Sequence, residues 1–157
     1  MTVTAEFPAL SWVPELEPAS LCLGGSPVLR RILESVASGA ADEPDEPDAV
    51  LIACEGRPDA GFDLDVPADF PLAGRAVGLI VVASDGECAA ATRARLRGLV
   101  RRLGGILVGV GVCLDADGVV TEGDEVAFSD VTDSVRLALL ARRVRRFARN
   151  RRVLRAA

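Results

Sequence analysis

From Leu72 to Arg146 the chain alternates continuous apolar runs with arginine-faced amphipathic segments, and this order leaves few folds open. Ala76–Ala83 (AVGLIVVA) is apolar throughout, as expected for a strand covered on both faces. In the segment after it, Ala91–Gly105, Leu96, Leu99, Val100 and Leu103 fall on one helical stripe. Arg93, Arg97, Arg101 and Arg102 fill much of the rest, and Gly104 closes the helix. Ile106–Cys113 reads as the next strand, with Gly109 and Gly111 alternating with Val108, Val110 and Val112 so that a packed helix, or else a ligand, can approach the backbone. A last helix over Asp130–Arg149 has Leu137, Leu140, Ala141, Val144, Phe147 and Ala148 on its stripe. The spacing predicts that Leu140, Val144 and Phe147 are buried, with Arg142, Arg143, Arg145, Arg146 and Arg149 outside. Asp130 and Asp133 near its start suit the helix dipole.

The upstream half has the same rhythm with longer interruptions. Pro8, Pro14 and Pro18 preclude a long helix in residues 1–19, an irregular segment in which Phe7–Val13 reads as a short or edge strand. A short apolar piece, Ser20–Leu23, enters Gly24-Gly25-Ser26-Pro27, and Val28–Ser38 then has helical spacing up to Gly39. Ala40–Asp48 carries the acidic, proline-broken run DEPDEPD, so the Gly39–Asp48 stretch is expected to be a solvated loop dispensable for folding. Ala49–Cys54 is a further buried strand, and Gly56–Gly74 is long enough to form the rim of a site. Strands alternating with helices imply one α/β domain over residues 1–157, its mainly parallel sheet covered on both faces and ending in a basic tail at 150–157. Val50–Ala53, Val77–Val82 and Ile106–Val112 are the expected central strands. Ligands of such sheets sit outside the strands' carboxyl ends, which directs attention to the loops after Leu23, Ala53 and Ala83.

Composition removes several chemistries. A chain of 157 residues can bury enough surface to fold without a disulfide or metal staple. Its longest apolar runs are about half a bilayer span, and no basic stretch precedes an apolar one at the start. We therefore expect no membrane segment. Cys22, Cys54, Cys88 and Cys113 have no Cys-x-x-Cys spacing, which fits reduced thiols in a cytoplasmic protein. With no histidine, neither a Ser-His-Asp triad nor a Cys-His pair can form, and no catalytic side chain is assigned. Asp115-Ala116-Asp117-Gly118 has its glycine fourth rather than sixth, so it reads as a turn and not as a calcium loop; no metal site is assigned. Residues 1–90 hold four arginines against sixteen acids, and residues 91–157 hold fourteen against seven. Lysine is absent, and the arginine-rich part lacks the interleaved aromatics of a nucleic-acid stacking surface.

The order and wording of Asp48–Arg149 resemble the NAD(P)H-dependent FMN reductases, a flavodoxin-like family. Leu114–Glu125 is similar to the family's Phe-Asp-x-Asp-Gly-x-Leu-Thr-Asp-Glu-Glu stretch, with Asp115, Asp117, Gly118, Thr121, Glu122 and Glu125 in register. Gly25-Ser26 resembles the core of the family's Gly-Ser-x-Arg phosphate loop, although the usual insertion before the helix is missing. The family's third strand ends in Thr-Pro-Glu-Tyr-Asn-Gly; this chain has Ala53-Cys54-Glu55-Gly56-Arg57, which keeps the Glu and lacks the Tyr-Asn pair. Ser84-Asp85-Gly86 resembles the loop along the flavin's other edge. The resemblance implies a three-layer flavodoxin-like fold, FMN and NADPH as cofactors, and a dimer. It places the phosphate at Gly25 and Ser26 and the ring beside Glu55, Gly56, Ser84, Asp85 and Gly86.

Two alignments fit. In one, Ser20–Leu23 is the family's first strand and the phosphate loop follows it. In the other, Phe7–Pro18 is the second strand, Val28–Ser38 is the helix before the third, and the phosphate loop is absent. Two functions correspond to them: an FMN-dependent oxidoreductase, or a flavin-free subunit of the same fold that acts by binding a protein partner.

Overall fold

The computed structural model describes residues 10–13, 19–23, 27–39, 46–56 and 72–156. Strands β1 (Leu10–Val13) and β2 (Ala19–Leu23) pair antiparallel, and helix α1 (Pro27–Gly39) precedes β3 (Ala49–Glu55). The chain continues through β4 (Ala76–Ala83), α2 (Gly86–Arg102), β5 (Ile106–Leu107) and β6 (Val112–Asp115). A hairpin of β7 (Val119–Glu122) and β8 (Glu125–Phe128) then leads to α3 (Val131–Ala156). β2, β3 and β4 lie side by side in that order, with β5 and β6 both on the far side of β4, all parallel. Only β1 runs against them. The result is a three-layer α/β fold with a mainly parallel sheet, as expected of a flavodoxin-like domain.

The uniform apolarity of β3 and β4 follows from burial on both faces. Leu51 stands opposite Gly78 and Ala53 opposite Ile80, and this face meets α1 and α3. Val50, Ile52, Val77, Leu79 and Val81 point the other way, into a second core under α2. α1 contributes Leu29, Ile32, Leu33 and Val36, and α2 contributes Leu96, Leu99 and Val100. Each such side chain adds roughly 1.5–3 kcal/mol of burial energy.

The placement of the helices is unusual in one respect. The connections β2–α1–β3 and β4–α2–β5 step across the sheet in the same direction, yet their helices lie on opposite faces. Two such crossovers necessarily have opposite hands, so one departs from the usual right-handed rule. α1 is held on its face by α3 and by the hairpin, whose Val119, Val126 and Phe128 pack on the same core.

Four expectations are corrected. Ile106–Cys113 is not one continuous central strand: Gly109 (φ +68°) and Gly111 (φ +86°) are left-handed and break it into β5 and β6, at the edge of the described sheet. A Cβ on Gly111 would lie 2.9 Å from the Leu79 carbonyl oxygen, so both space and backbone angle call for glycine there. The tail at 150–157 is not separate, since α3 runs on to Ala156. Leu140 and Val144 are buried, but Phe147 is 40% exposed and Arg145, expected outside, is buried at 1% exposure, because α3 turns its Leu137–Ala141–Val144–Ala148 side to the sheet.

The fourth correction concerns the acidic run. Residues 40–45 lie outside the described residues, but Glu46 is buried, with its Oε1 2.9 Å from Nη1 of Arg152 on α3. The backbone there is tied as well: the Ala49 N–H donates to the Glu46 carbonyl, and the Ala76 N–H donates to the Asp48 carbonyl. This end of the loop is docked rather than solvated. At the N-terminus, β1 falls inside the expected Phe7–Val13 edge strand. No helix among the described residues is long and apolar enough to cross a membrane.

Candidate functional site at the carboxyl edge of the sheet

Register places the strand ends on one edge: Leu23 pairs with Cys54, Cys54 with Val81, and Val82 with Leu114. Of the expected site residues, Glu55, Gly56, Ser84, Asp85 and Gly86 come together on this edge. Gly25 and Ser26 lie outside the described residues, between the described Leu23 and Pro27. α1 leaves its end of the sheet toward one face and α2 leaves β4 toward the other. The two helices therefore pack on opposite faces of the sheet, on either side of β3, at whose end Glu55 and Gly56 sit. In doubly wound sheets the ligand crevice lies at the carboxyl ends of the strands where the strand order reverses, a reversal that β2, β3, β4 and β5 do not show among the described residues.

Gly56 is fixed by its neighbours. Its N–H donates to the Val82 carbonyl at 2.7 Å. A Cβ there would lie 2.7 Å from the Ala83 Cβ and 3.3 Å from both the Cys88 carbonyl oxygen and the Thr92 hydroxyl. Close packing of the β3 end on the first turn of α2 is thus the reason for glycine here. Gly86, by contrast, would point a Cβ into open space.

Asp85 caps α2: its Oδ1 accepts the Cys88 N–H at 2.8 Å from an extended backbone. That hydrogen bond holds its carboxyl below the ordinary carboxylate range. The same contact raises Cys88, mainly through the bond from its thiol to the Asp85 side chain, which makes Cys88 a poor nucleophile. Asp130 does for α3 what Asp85 does for α2, and its lowered pKa follows from hydrogen bonds donated by the Thr132 hydroxyl and N–H. Because both folded pKa values are depressed, the caps add stability above the ordinary carboxylate pKa and lose it as pH falls through the lowered value. Asp85→Asn keeps a capping oxygen without titrating, so acid unfolding followed by circular dichroism should show a shallower loss of stability below about pH 4. An acid limb identical to that of the parent would show that Asp85 does not contribute to it.

No protein-family model matches the chain. No curated protein matches it either. Its chemistry must be read from the edge itself.

Three helices begin at this edge, and they differ in charge. α2 and α3 each start with an aspartate cap and carry an acid in the first turn, Glu87 and Asp133. α1 has no acid in its first turn. An anion at α2 or α3 would meet a carboxylate already using the helix N–H groups, whereas at α1 it would meet the positive end of the dipole alone. Arg31 of α1 reaches toward Asp124 of the hairpin at 3.9 Å, a contact between segments far apart in the chain that no local pattern signals. The role of Asp85 was legible in principle: an aspartate ahead of Gly-Glu at a helix start signals an N-cap.

Proposed function

We propose that this domain binds FMN at the carboxyl edge of the sheet above β3 and acts as an NAD(P)H-dependent FMN reductase in the cytoplasm. The observation that carries the reading is the divergence of α1 and α2 to opposite faces, with α1 alone starting free of acid. In a flavodoxin-like fold the first helix lies on the opposite face from the next ones because the strand order reverses there; here β2–α1–β3 steps the same way as β4–α2–β5, so the facing of the helix agrees and the strand order does not. That facing favours the alignment in which β2 is the first strand and the Gly25-Ser26 turn receives the phosphate.

The residues fit the group. Gly25 and Ser26 would offer N–H groups and a hydroxyl to the phosphate ahead of α1. The exposed Ser84 and the open side of Gly86 would border one edge of the ring, and Glu55 and Gly56 the other. FMN, when bound, supplies the hydride chemistry, which is why the absence of histidine is no obstacle. Asp85 shapes the turn by capping α2 and stays ionised, so it positions backbone rather than donating a proton.

Titration with FMN should quench flavin fluorescence saturably, and Ser26→Asp should abolish the effect by setting a carboxylate against the phosphate. No change at high micromolar FMN would overturn the reading. The second reading, a flavin-free subunit that binds a protein partner or a second copy, draws on the chain's lack of tyrosine and on the tight filling around Gly56.

A further inference from the structure

α3 is apolar on two sides. One side is the Leu137–Leu140–Ala141–Val144–Ala148 stripe on the sheet. The other is a ladder of four-residue steps, Val131, Val135 and Leu139, all exposed, which Arg143 and Phe147 continue. A helix that buries one stripe in its own core ordinarily turns a polar face to water. Beside Leu139, the break between β5 and β6 brings Val110 out to 66% exposure. Val108–Val112, Leu139 and Leu140 line a groove of about 290 Å³, rimmed by Arg136 and Arg143.

We infer that this groove receives an acidic amphipathic helix from another protein. Charge selects the occupant: the charged side chains that rim the groove are Arg136, which also pairs with Asp133 at 3.2 Å, and Arg143, which has no ionic partner among the described residues. Pairing α3 with its own copy would set one arginine row against another, a cost that an acidic partner turns into attraction. A strand added at the sheet edge is excluded by the same break, because the left-handed Gly109 and Gly111 interrupt the hydrogen-bonding row. A flat lipid surface suits it less well, since Arg143 stands mid-ladder between Leu139 and Phe147 and the groove is concave. A helix with apolar residues at i, i+3, i+4 and i+7 and glutamates on its flanks matches both the groove and its rim. The site lies at the sheet edge, two strands from β3, and goes beyond the flavin reading.

The test uses the intact chain and two dye-labelled synthetic helices of about 20 residues, one of leucine and glutamate and one of leucine and lysine. Anisotropy should show saturable binding of the glutamate peptide only, weakened by added salt. Leu139→Asp, and separately Arg136→Glu with Arg143→Glu, should each weaken it by about tenfold or more. Leu139→Ala serves as a milder second variant should the charged one disturb folding by circular dichroism. Equal binding of both peptides, or no loss on altering Leu139, would overturn the proposal. A dimer in sedimentation that Leu139→Asp dissolves would give the face to a second copy. Co-flotation with phosphatidylglycerol vesicles, lost in the same variants, would give it to lipid.

Discussion

Replacing Gly78 with valine is expected to destabilise the protein by about 3 kcal/mol, the upper end of the usual cost of overpacking. Gly78 lies in the middle of β4 under α3. A Cβ there would stand 2.7 Å from the Val144 Cγ2, 2.9 Å from the Leu51 Cδ2 and 3.2 Å from the Leu140 Cδ1. Val144 is β-branched and fully buried, so it cannot turn aside, and the helix itself must rise. Val144→Ala alone should cost about 2 kcal/mol through the cavity it leaves. In combination the two changes should relieve one another, so that the double variant loses less than the sum by at least about 1 kcal/mol. Urea unfolding of the four proteins measures this. A Gly78→Val protein as stable as its parent would mean that α3 does not press on β4 as described.

Arg152→Ala should be the next most damaging change, at about 2–3 kcal/mol. Glu46 is 1% exposed, and removing Arg152 would strand a carboxylate where water cannot reach it. The contact is close at 2.9 Å, but Glu46 Oε1 makes no well-aligned hydrogen bond, so it is an ion pair by distance only. Arg152 is about half exposed, and solvent screening places the effect at the low end of the range for breaking a buried pair. Glu46→Leu, which removes the buried charge and keeps the volume, should cost much less. If Arg152→Ala unfolds at the same urea concentration as the parent, Glu46 is not held by charge.

The Glu46 case shows where local pattern fails. A run of acids broken by prolines signals solvent, and no local rule singles out Glu46 from Asp42, Glu43 or Asp45. Its burial depends on Arg152, more than a hundred residues later, so only the tertiary fold decides it. Gly109 and Gly111 fail for a different reason. Glycine in a two-residue alternation with valine fits an extended strand, but it equally permits the left-handed angles that break one. Phe147 is misplaced because α3 has apolar residues on both sides, and periodicity finds stripes without saying which one meets the sheet.

For the candidate site, the residues themselves indicated which strand ends to examine, and Glu55, Gly56 and Ser84–Gly86 do share one edge. The Asp85 cap was signalled by the Asp-Gly-Glu order but not assigned, and nothing local showed that Gly56 is required by the closeness of Cys88 and Thr92. Both depend on where α2 begins, at Gly86 rather than at the Ala91 marked by the stripe.

What the sequence determined by itself is the layer structure and the excluded chemistry. Continuous apolar runs at Ala49–Cys54 and Ala76–Ala83 call for strands covered on both faces, and a chain without histidine has no imidazole chemistry. What only the tertiary structure decided is the face on which α1 packs, the break between β5 and β6, the docking of Glu46, and the side of α3 left to solvent. Each of these is a choice between packings that satisfy the same local pattern equally well, and the contact that settles it comes from a segment distant in the chain.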